Sequence, residues 1–145
     1  MMEIQQSKDS ECYAAAMRML VRREHSQLEL RQKLQLKDFD NTLIANAIDL
    51  LIEQNYQSDT RFAEDFIVMR FNQGKGSVKI AAELKQRGIE YFDLSVFDWF
   101  ALARKVRVTK FGDDLPSDYK ETAKQKRFLQ SRGFGFDQIN QAFSN

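Results

Sequence analysis

One cysteine, one proline, one histidine and six glycines are all that this chain of 145 residues carries of those types, and each scarcity removes a class of structure or chemistry. A lone thiol, Cys12, cannot close an internal disulfide, so a reducing, cytoplasmic location is the simplest expectation. So few turn-formers leave little room for the many short strands of an all-β fold. No apolar run is long enough to cross a bilayer, and no basic-then-apolar signal segment opens the chain, so no membrane association is expected. His25, within Arg22-Arg23-Glu24-His25-Ser26, reads as a turn residue rather than a general base. Around Cys12 there is no metal-ligand or nucleophile spacing, and the chain has neither a P-loop nor a dinucleotide fingerprint. An enzyme is therefore not expected, nor is a cofactor or a metal.

Strong net charge is also missing. The formal value is +1, which argues against purely electrostatic capture of nucleic acid, but the charge is uneven. Residues 1–100 carry 13 Lys and Arg against 16 Asp and Glu, and residues 101–145 carry 9 against 5, so a net of −3 precedes a net of +4. The ordinary cause of such asymmetry is a solvated helix face.

What the chain does have is helical periodicity, in a pattern that recurs. Between Asp59 and Ile89, Phe62, Phe66 and Met69, with Ala63 and Ile67, form one stripe of a first helix that Asp59 is placed to cap. Gly74 and Gly76 then mark a turn, Ile80 and Leu84 restart the period, and Gly88 ends it after Lys85 and Arg87. Altered copies flank this stretch. In the first, Ser26 and Glu29 have capping-box spacing, Leu30 and Leu34 face inward, and Asp40 precedes the stripe Ile44, Ala47, Ile48 and Leu51. The third has Trp99, Leu102, Ala103 and Val106 on one face, then a basic helix over about 117–132, then Phe136, Ile139 and Phe143.

Two anchors set the register of the repeat. One is an aromatic-alanine pair near each helix start: Tyr13-Ala14, Phe62-Ala63 and Phe100-Ala101. The other is a helix-ending signature of leucine, cation, turn residue and apolar residue: Leu34-x-x-Lys37-Asp38-Phe39, Leu84-x-x-Arg87-Gly88-Ile89 and Leu129-x-x-Arg132-Gly133-Phe134. The reading that follows is all-α: three tandem three-helix, helix-turn-helix-like repeats, nine helices, in an elongated, curved chain. Residues 1–10 are expected to be loose. The repeats occupy 11–56, then 57–97 with a shortened third helix, then 98–145 with a loop inserted near 112–117.

Asp59-x-Arg61-Phe62-Ala63, the Lys75-Gly76 turn followed by Ile80-x-x-x-Leu84-x-x-x-Gly88, and Lys126-Arg127-Phe128-Leu129-x-x-Arg132-Gly133-Phe134 together resemble the RecX family. The resemblance runs from about Glu11 to Phe143. It implies a non-enzymatic, monomeric regulator that binds RecA, lies in the groove of the RecA filament on DNA, and limits filament extension, ATP hydrolysis and strand exchange. Recombination, DNA repair and the SOS response would be modulated in turn. A groove that repeats at every subunit suits a repeat protein, because linked weak contacts raise the effective affinity.

Candidate contact residues recur near the turns and second helices: Arg22 and Arg23; Lys75, Lys79, Lys85 and Arg87; and Lys124, Arg127 and Arg132. The competing reading of each is a solvated cation or one that complements a helix dipole. The alternative partner is DNA itself, gripped weakly by tandem helix-turn-helix units. Stacking of the twelve phenylalanines on single-stranded bases is disfavoured, since most fall on inward stripes.

Overall fold

A computed structural model of the chain describes the backbone of residues 2–144 and the side chains of residues 8–144. It is helical throughout, with no strand among the described residues. The elements are α1 (Met2–Arg22), α2 (Gln27–Leu36), α3 (Asn41–Glu53), α4 (Asp59–Asn72), α5 (Ser77–Gln86), α6 (Trp99–Phe111), α7 (Tyr119–Ser131) and α8 (Phe136–Gln141). Two expectations need correction. The segment 1–10 was expected to be loose, but α1 is helical backbone from Met2 onward. Among the described residues eight helices replace nine, because the second repeat has irregular backbone over 89–98 where a short third helix was expected. The chain divides into two compact units, residues 1–65 with 86–90, and residues 66–85 with 91–145.

Unit 1 is built on α1, α2 and α3. Cys12, Ala15 and Ala16 pack with Leu30 and Leu34, against Leu43, Ile44, Ala47, Ile48 and Leu51 of α3. Full burial of a leucine or isoleucine contributes roughly 1.5–3 kcal/mol, so this stripe dominates the stability of the unit. Ser26 begins α2 with a complete capping box, its hydroxyl accepting from the Glu29 N–H and the Glu29 carboxylate accepting from the Ser26 N–H, both at 3.1 Å. The helix stops where Asp38 takes positive φ (65°) and the Phe39 N–H returns to the Leu34 carbonyl. Asp59 does not cap α4. That role belongs to Ser58, whose hydroxyl accepts from the Arg61 N–H, while Asp59 Oδ1 accepts from the N–H of Gln27 at 2.9 Å and from Gln57 Nε2 at 3.0 Å. A carboxylate from the second repeat thus meets the electropositive start of a helix in the first.

In unit 2 the start of α5 is completed by the turn between α7 and α8. Gly76 precedes α5 and has no side chain to satisfy the helix's first N–H groups. The Gly133 carbonyl accepts from Val78 N–H at 2.9 Å and from Lys79 N–H at 3.3 Å, and the Arg132 carbonyl accepts from Gly76 N–H at 2.8 Å. Neither glycine tolerates a Cβ: one on Gly76 would lie 2.3 Å from the Gly133 carbonyl carbon, and one on Gly133 would lie 2.2 Å from Lys79 Cβ. Gly133 also needs its positive φ of 96°. In place of a third helix in the second repeat, Phe97 stacks on Phe71 at 4.3 Å, and Trp99 packs edge-on to both while donating its indole N–H to the Leu94 carbonyl.

The inward faces of α4 and α6 show where the expected register slips. Phe62, Ala63, Phe66 and Ile67 are buried, but Met69 is 46% exposed. In the third repeat Phe100 is exposed, and the buried pair is Leu102-Ala103, two residues on. Ser58 and Asp98 cap their helices, and Phe62 and Leu102 each stand four residues later, so Phe62-Ala63 corresponds to Leu102-Ala103 rather than to Phe100-Ala101. A further turn along, Ile67 corresponds to Arg107, which is also buried. Its guanidinium donates to the carbonyls of Ala142 (2.8 Å) and Gly112 (3.4 Å) and covers the Phe143 ring, so α6 is tied to the chain's last turn.

Candidate functional site

Of the nine candidate cations, the fold gathers Lys75, Lys79 and Arg132 at one place in unit 2, and the glycine crossing is what gathers them. Lys75 sits between Gly74 and Gly76 in the α4–α5 turn, Lys79 is in the first turn of α5, and Arg132 immediately precedes Gly133. Because Gly133 lies against Lys79 and Arg132 bonds to Gly76, the three side chains leave from adjoining backbone. Partial burial, followed by the positive charges of Arg132, Lys79 and Arg70, holds the Lys75 amine below its ordinary value, with Glu83 opposing. None of Lys75, Lys79 and Arg132 has an ion pair among the described residues. Glu83 is engaged by Arg70 instead. This is a surface where like charges are crowded, and bound anionic groups would relieve their repulsion.

Arg132 is further fixed by lying over the Phe128 ring at 5.2 Å, with Lys110 over the same ring at 5.6 Å. Beside them a groove of about 370 Å³ has Leu102, Val106 and Phe71 among its lining and Lys105, Lys110 and Arg132 as its cations. Sequence reasoning missed Arg70, Lys105 and Lys110. Arg70 carried a usable signal, since it ends the same helix as the Asp59-x-Arg61 motif. Lys105 and Lys110 stand on α6, away from any turn signature, and only their placement around Phe128 and Val106 brings them in.

The other candidates do not join this cluster. Arg23 and Arg87 are engaged within unit 1 by one carboxylate: Arg23 donates to both oxygens of Glu29 at 3.1 Å, and Arg87 Nε stands 3.9 Å from Glu29 Oε2. Burial pushes the Glu29 carboxyl up, but the bonds from Arg23 and from the Ser26 N–H, with the Arg23 charge, bring it below the usual value. Arg22 and Lys85 are exposed at helix ends, and Lys124 and Arg127 are exposed along α7. His25 is buried, with Nδ1 3.0 Å from the Arg23 carbonyl and Nε2 2.9 Å from Lys33 Nζ, a geometry that suits a neutral ring donating at Nδ1 and accepting at Nε2. Burial, then the Arg23 and Lys33 charges, lowers its pKa despite the Arg23 carbonyl. Burial first, and then Asp9, pushes the Cys12 thiol up, which makes it a poor nucleophile. Among the described residues no cluster of His, Cys, Asp and Glu could hold a metal, and no helix is long and apolar enough to cross a membrane.

Three family models match the chain: the first three-helix domain of RecX over residues 12–51, the second over 58–91 and the third over 98–143. Among curated proteins, the chain is similar to a regulatory protein RecX of Halorhodospira halophila, 41% identical over 134 residues, covering 88% of this chain and 83% of the relative. A regulatory protein RecX of Vibrio campbellii is 41% identical over 136 residues, covering 90% and 88%. Among solved structures, RecX from Lactobacillus salivarius superposes with a TM-score of 0.78 at 22% identity, covering 94% of this chain and 95% of that one. Another regulatory protein RecX gives 0.84 at 18% identity, covering 98% and 76%.

Proposed function

The chain belongs to the RecX family of regulatory proteins, and from that premise we propose that it binds RecA and the RecA filament on DNA and restrains filament extension, ATP hydrolysis and strand exchange. It works in the cytoplasm as a monomer, without catalysis or cofactor, and so modulates recombination, DNA repair and the SOS response. Membership of the family supports a regulatory role, and RecA is the partner proposed for it. The observation that supports a particular contact surface is the crowding of Lys75, Lys79 and Arg132 at the Gly76–Gly133 crossing, with no carboxylate among the described residues paired to any of the three. Lys124 and Arg127, exposed on α7, supply further cations of the same unit.

The test is hydrolysis of ATP by RecA on single-stranded DNA as this protein is titrated in, with the Lys75→Ala, Lys79→Ala, Arg132→Ala triple variant alongside. Inhibition at substoichiometric amounts is expected, weakened about tenfold or more in the variant while its helical circular dichroism is retained. Inhibition equal to that of the parent would remove this surface from the model.

The same cation cluster supports a second reading, direct contact with DNA phosphates. Binding of the protein alone to duplex DNA would then fall with salt on a log-log slope of roughly 0.9 per phosphate neutralised, and the triple variant would flatten that slope. If ATP hydrolysis is untouched while such binding is strong, the DNA reading replaces the filament reading.

A further inference from the structure

Unit 1 has a second basic surface that no sequence motif marks. The C-terminal half of α1, with His25 and α2, walls a groove of about 800 Å³. Among the described residues five cations line it, Arg18, Arg22, Arg23, Lys33 and Lys37, and no aspartate or glutamate does. This occurs inside the stretch whose overall charge is negative: folding sorts the signs, leaving one wall of a net-acidic region uniformly positive. Two of the cations are held in place from behind, Arg23 by both oxygens of Glu29 and Lys33 by the buried ring of His25. Arg18, Arg22 and Lys37 have no ion pair among the described residues.

Apart from the buried His25 ring, the rest of the described lining is apolar: Ala15, Met17, Met19 and Val21. Met17 and Met19 are half-buried against the core, and Val21 is 78% exposed at the groove, where a solvent-facing valine gains nothing from water. Methionine side chains adapt their shape to apolar guests. Among the described residues the groove has no phenylalanine, tyrosine or tryptophan, and the ring of His25 is buried, so no exposed aromatic ring offers a base a stacking surface. Only a ligand carrying both carboxylates and aliphatic side chains satisfies the cations and the methionine-valine floor together.

We propose that the α1–α2 groove of unit 1 is a docking site for an acidic segment of a partner protein that carries leucine-like side chains at helical spacing, its carboxylates meeting Arg18, Arg22 and Lys37 and its apolar residues covering Met17, Met19 and Val21. Such a segment is an amphipathic helix lying in a groove, with the charges setting its orientation.

The test uses fluorescence anisotropy with the intact chain and three labelled probes: an acidic peptide with leucine at every third or fourth position, the same peptide with serine for leucine, and a single-stranded oligonucleotide. Saturable binding of the leucine peptide is expected, about tenfold weaker for the serine peptide and about tenfold weaker for an Arg18→Glu, Arg22→Glu double variant. Both arginines are exposed, and unchanged helical circular dichroism verifies that the variant is folded. Val21→Glu, also at an exposed position, weakens the leucine peptide by a like-charge contact without touching the core. The proposal is overturned if no peptide binds saturably, or if leucine and serine peptides bind alike. It is also overturned if the oligonucleotide binds more tightly than the leucine peptide and the double variant abolishes that binding. The readout needs no RecA, so its outcome is independent of the filament reading.

Discussion

Both units place cations beside a helix-ending turn, yet those cations end in opposite circumstances. In unit 1, Arg23 and Arg87 converge on Glu29, a carboxylate that also completes the capping box of α2. In unit 2, Lys75, Lys79 and Arg132 are drawn together by two glycine turns, and the carboxylate whose charge acts on Lys75, Glu83, is engaged by Arg70. A cation near a turn is therefore not a class of residue. Its role is decided by whether another element of the fold brings it a carboxylate, which no local pattern announces. The difference also separates two effects of mutation: removing Arg23 or Arg87 disturbs a structural ion cluster, whereas removing Lys75 or Lys79 relieves repulsion.

The most forceful way to break this contrast is Gly133→Ala. The new Cβ meets Lys79 Cβ at 2.2 Å, on a backbone with φ of 96°, so the crossing must open. A loss on the order of 3 kcal/mol or more is expected, read as a lowered urea midpoint, with inhibition of RecA lost alongside. An unchanged midpoint would mean that the crossing does not assemble the cluster. Glu29→Ala is the corresponding cut in unit 1 and is smaller. Loss of the carboxylate half of the capping box and of both ion pairs should cost about 1 kcal/mol, since Ser26 Oγ still accepts from the N–H of residue 29 and half-exposed pairs contribute little. Helicity and RecA inhibition should be retained; loss of inhibition at full stability would bring Arg23 and Arg87 back as contact residues.

The gentlest probe is pH. His25 stays neutral when folded below its ordinary value of 6.5, whereas the unfolded chain takes up a proton there. Its contribution is thus complete above about 6.5 and is lost as pH falls through the depressed folded value. Glu29 adds to this trend at lower pH, through its own depressed value. Lys75 follows the same sign at the alkaline end: its amine pKa is lowered by burial and then by the charges of Arg132, Lys79 and Arg70, so stability rises as pH climbs through that lowered value. Urea midpoints followed on either side of pH 6.5 should decline on the acid side, and His25→Gln should remove the first part of that decline. A decline identical in the variant would assign it to other groups.

The sequence made legible whatever depends on neighbours along the chain. Asp38, Gly88 and Gly133 all take positive φ after a buried leucine, and the Ser26–Glu29 box closes as its spacing predicts. The stripe on α3 is buried throughout, because periodicity reports which face is apolar. Arg107 shows where that reasoning ends: an arginine in an inward register reads as an error, until carbonyls of Ala142 and Gly112 arrive from distant segments to receive it. Phe100-Ala101 misled for a related reason, since an aromatic beside an alanine looks equivalent in each repeat, while burial follows distance from the cap. The candidate site was legible as a set of types and illegible as a set of neighbours. Lys75 and Arg132 are close only because Gly76 and Gly133 lack a Cβ, and the unit 1 groove has no motif at all.

The carbonyl that receives the first N–H groups of α5 belongs to Gly133, which is added to the nascent chain well after α5 itself. Translation is vectorial, and the ribosome's exit tunnel holds back the most recently added residues. While α2 carries its own cap in Ser26 and Glu29 and can close as soon as it emerges, α5 must wait for the turn between α7 and α8 before its entry turn is complete. A ribosome that stalls before Gly133 therefore displays α5 without its lid, and a transcript truncated there yields a product whose basic turn has never been set. Assembly of the cation cluster is in this sense a sign that synthesis has passed Gly133.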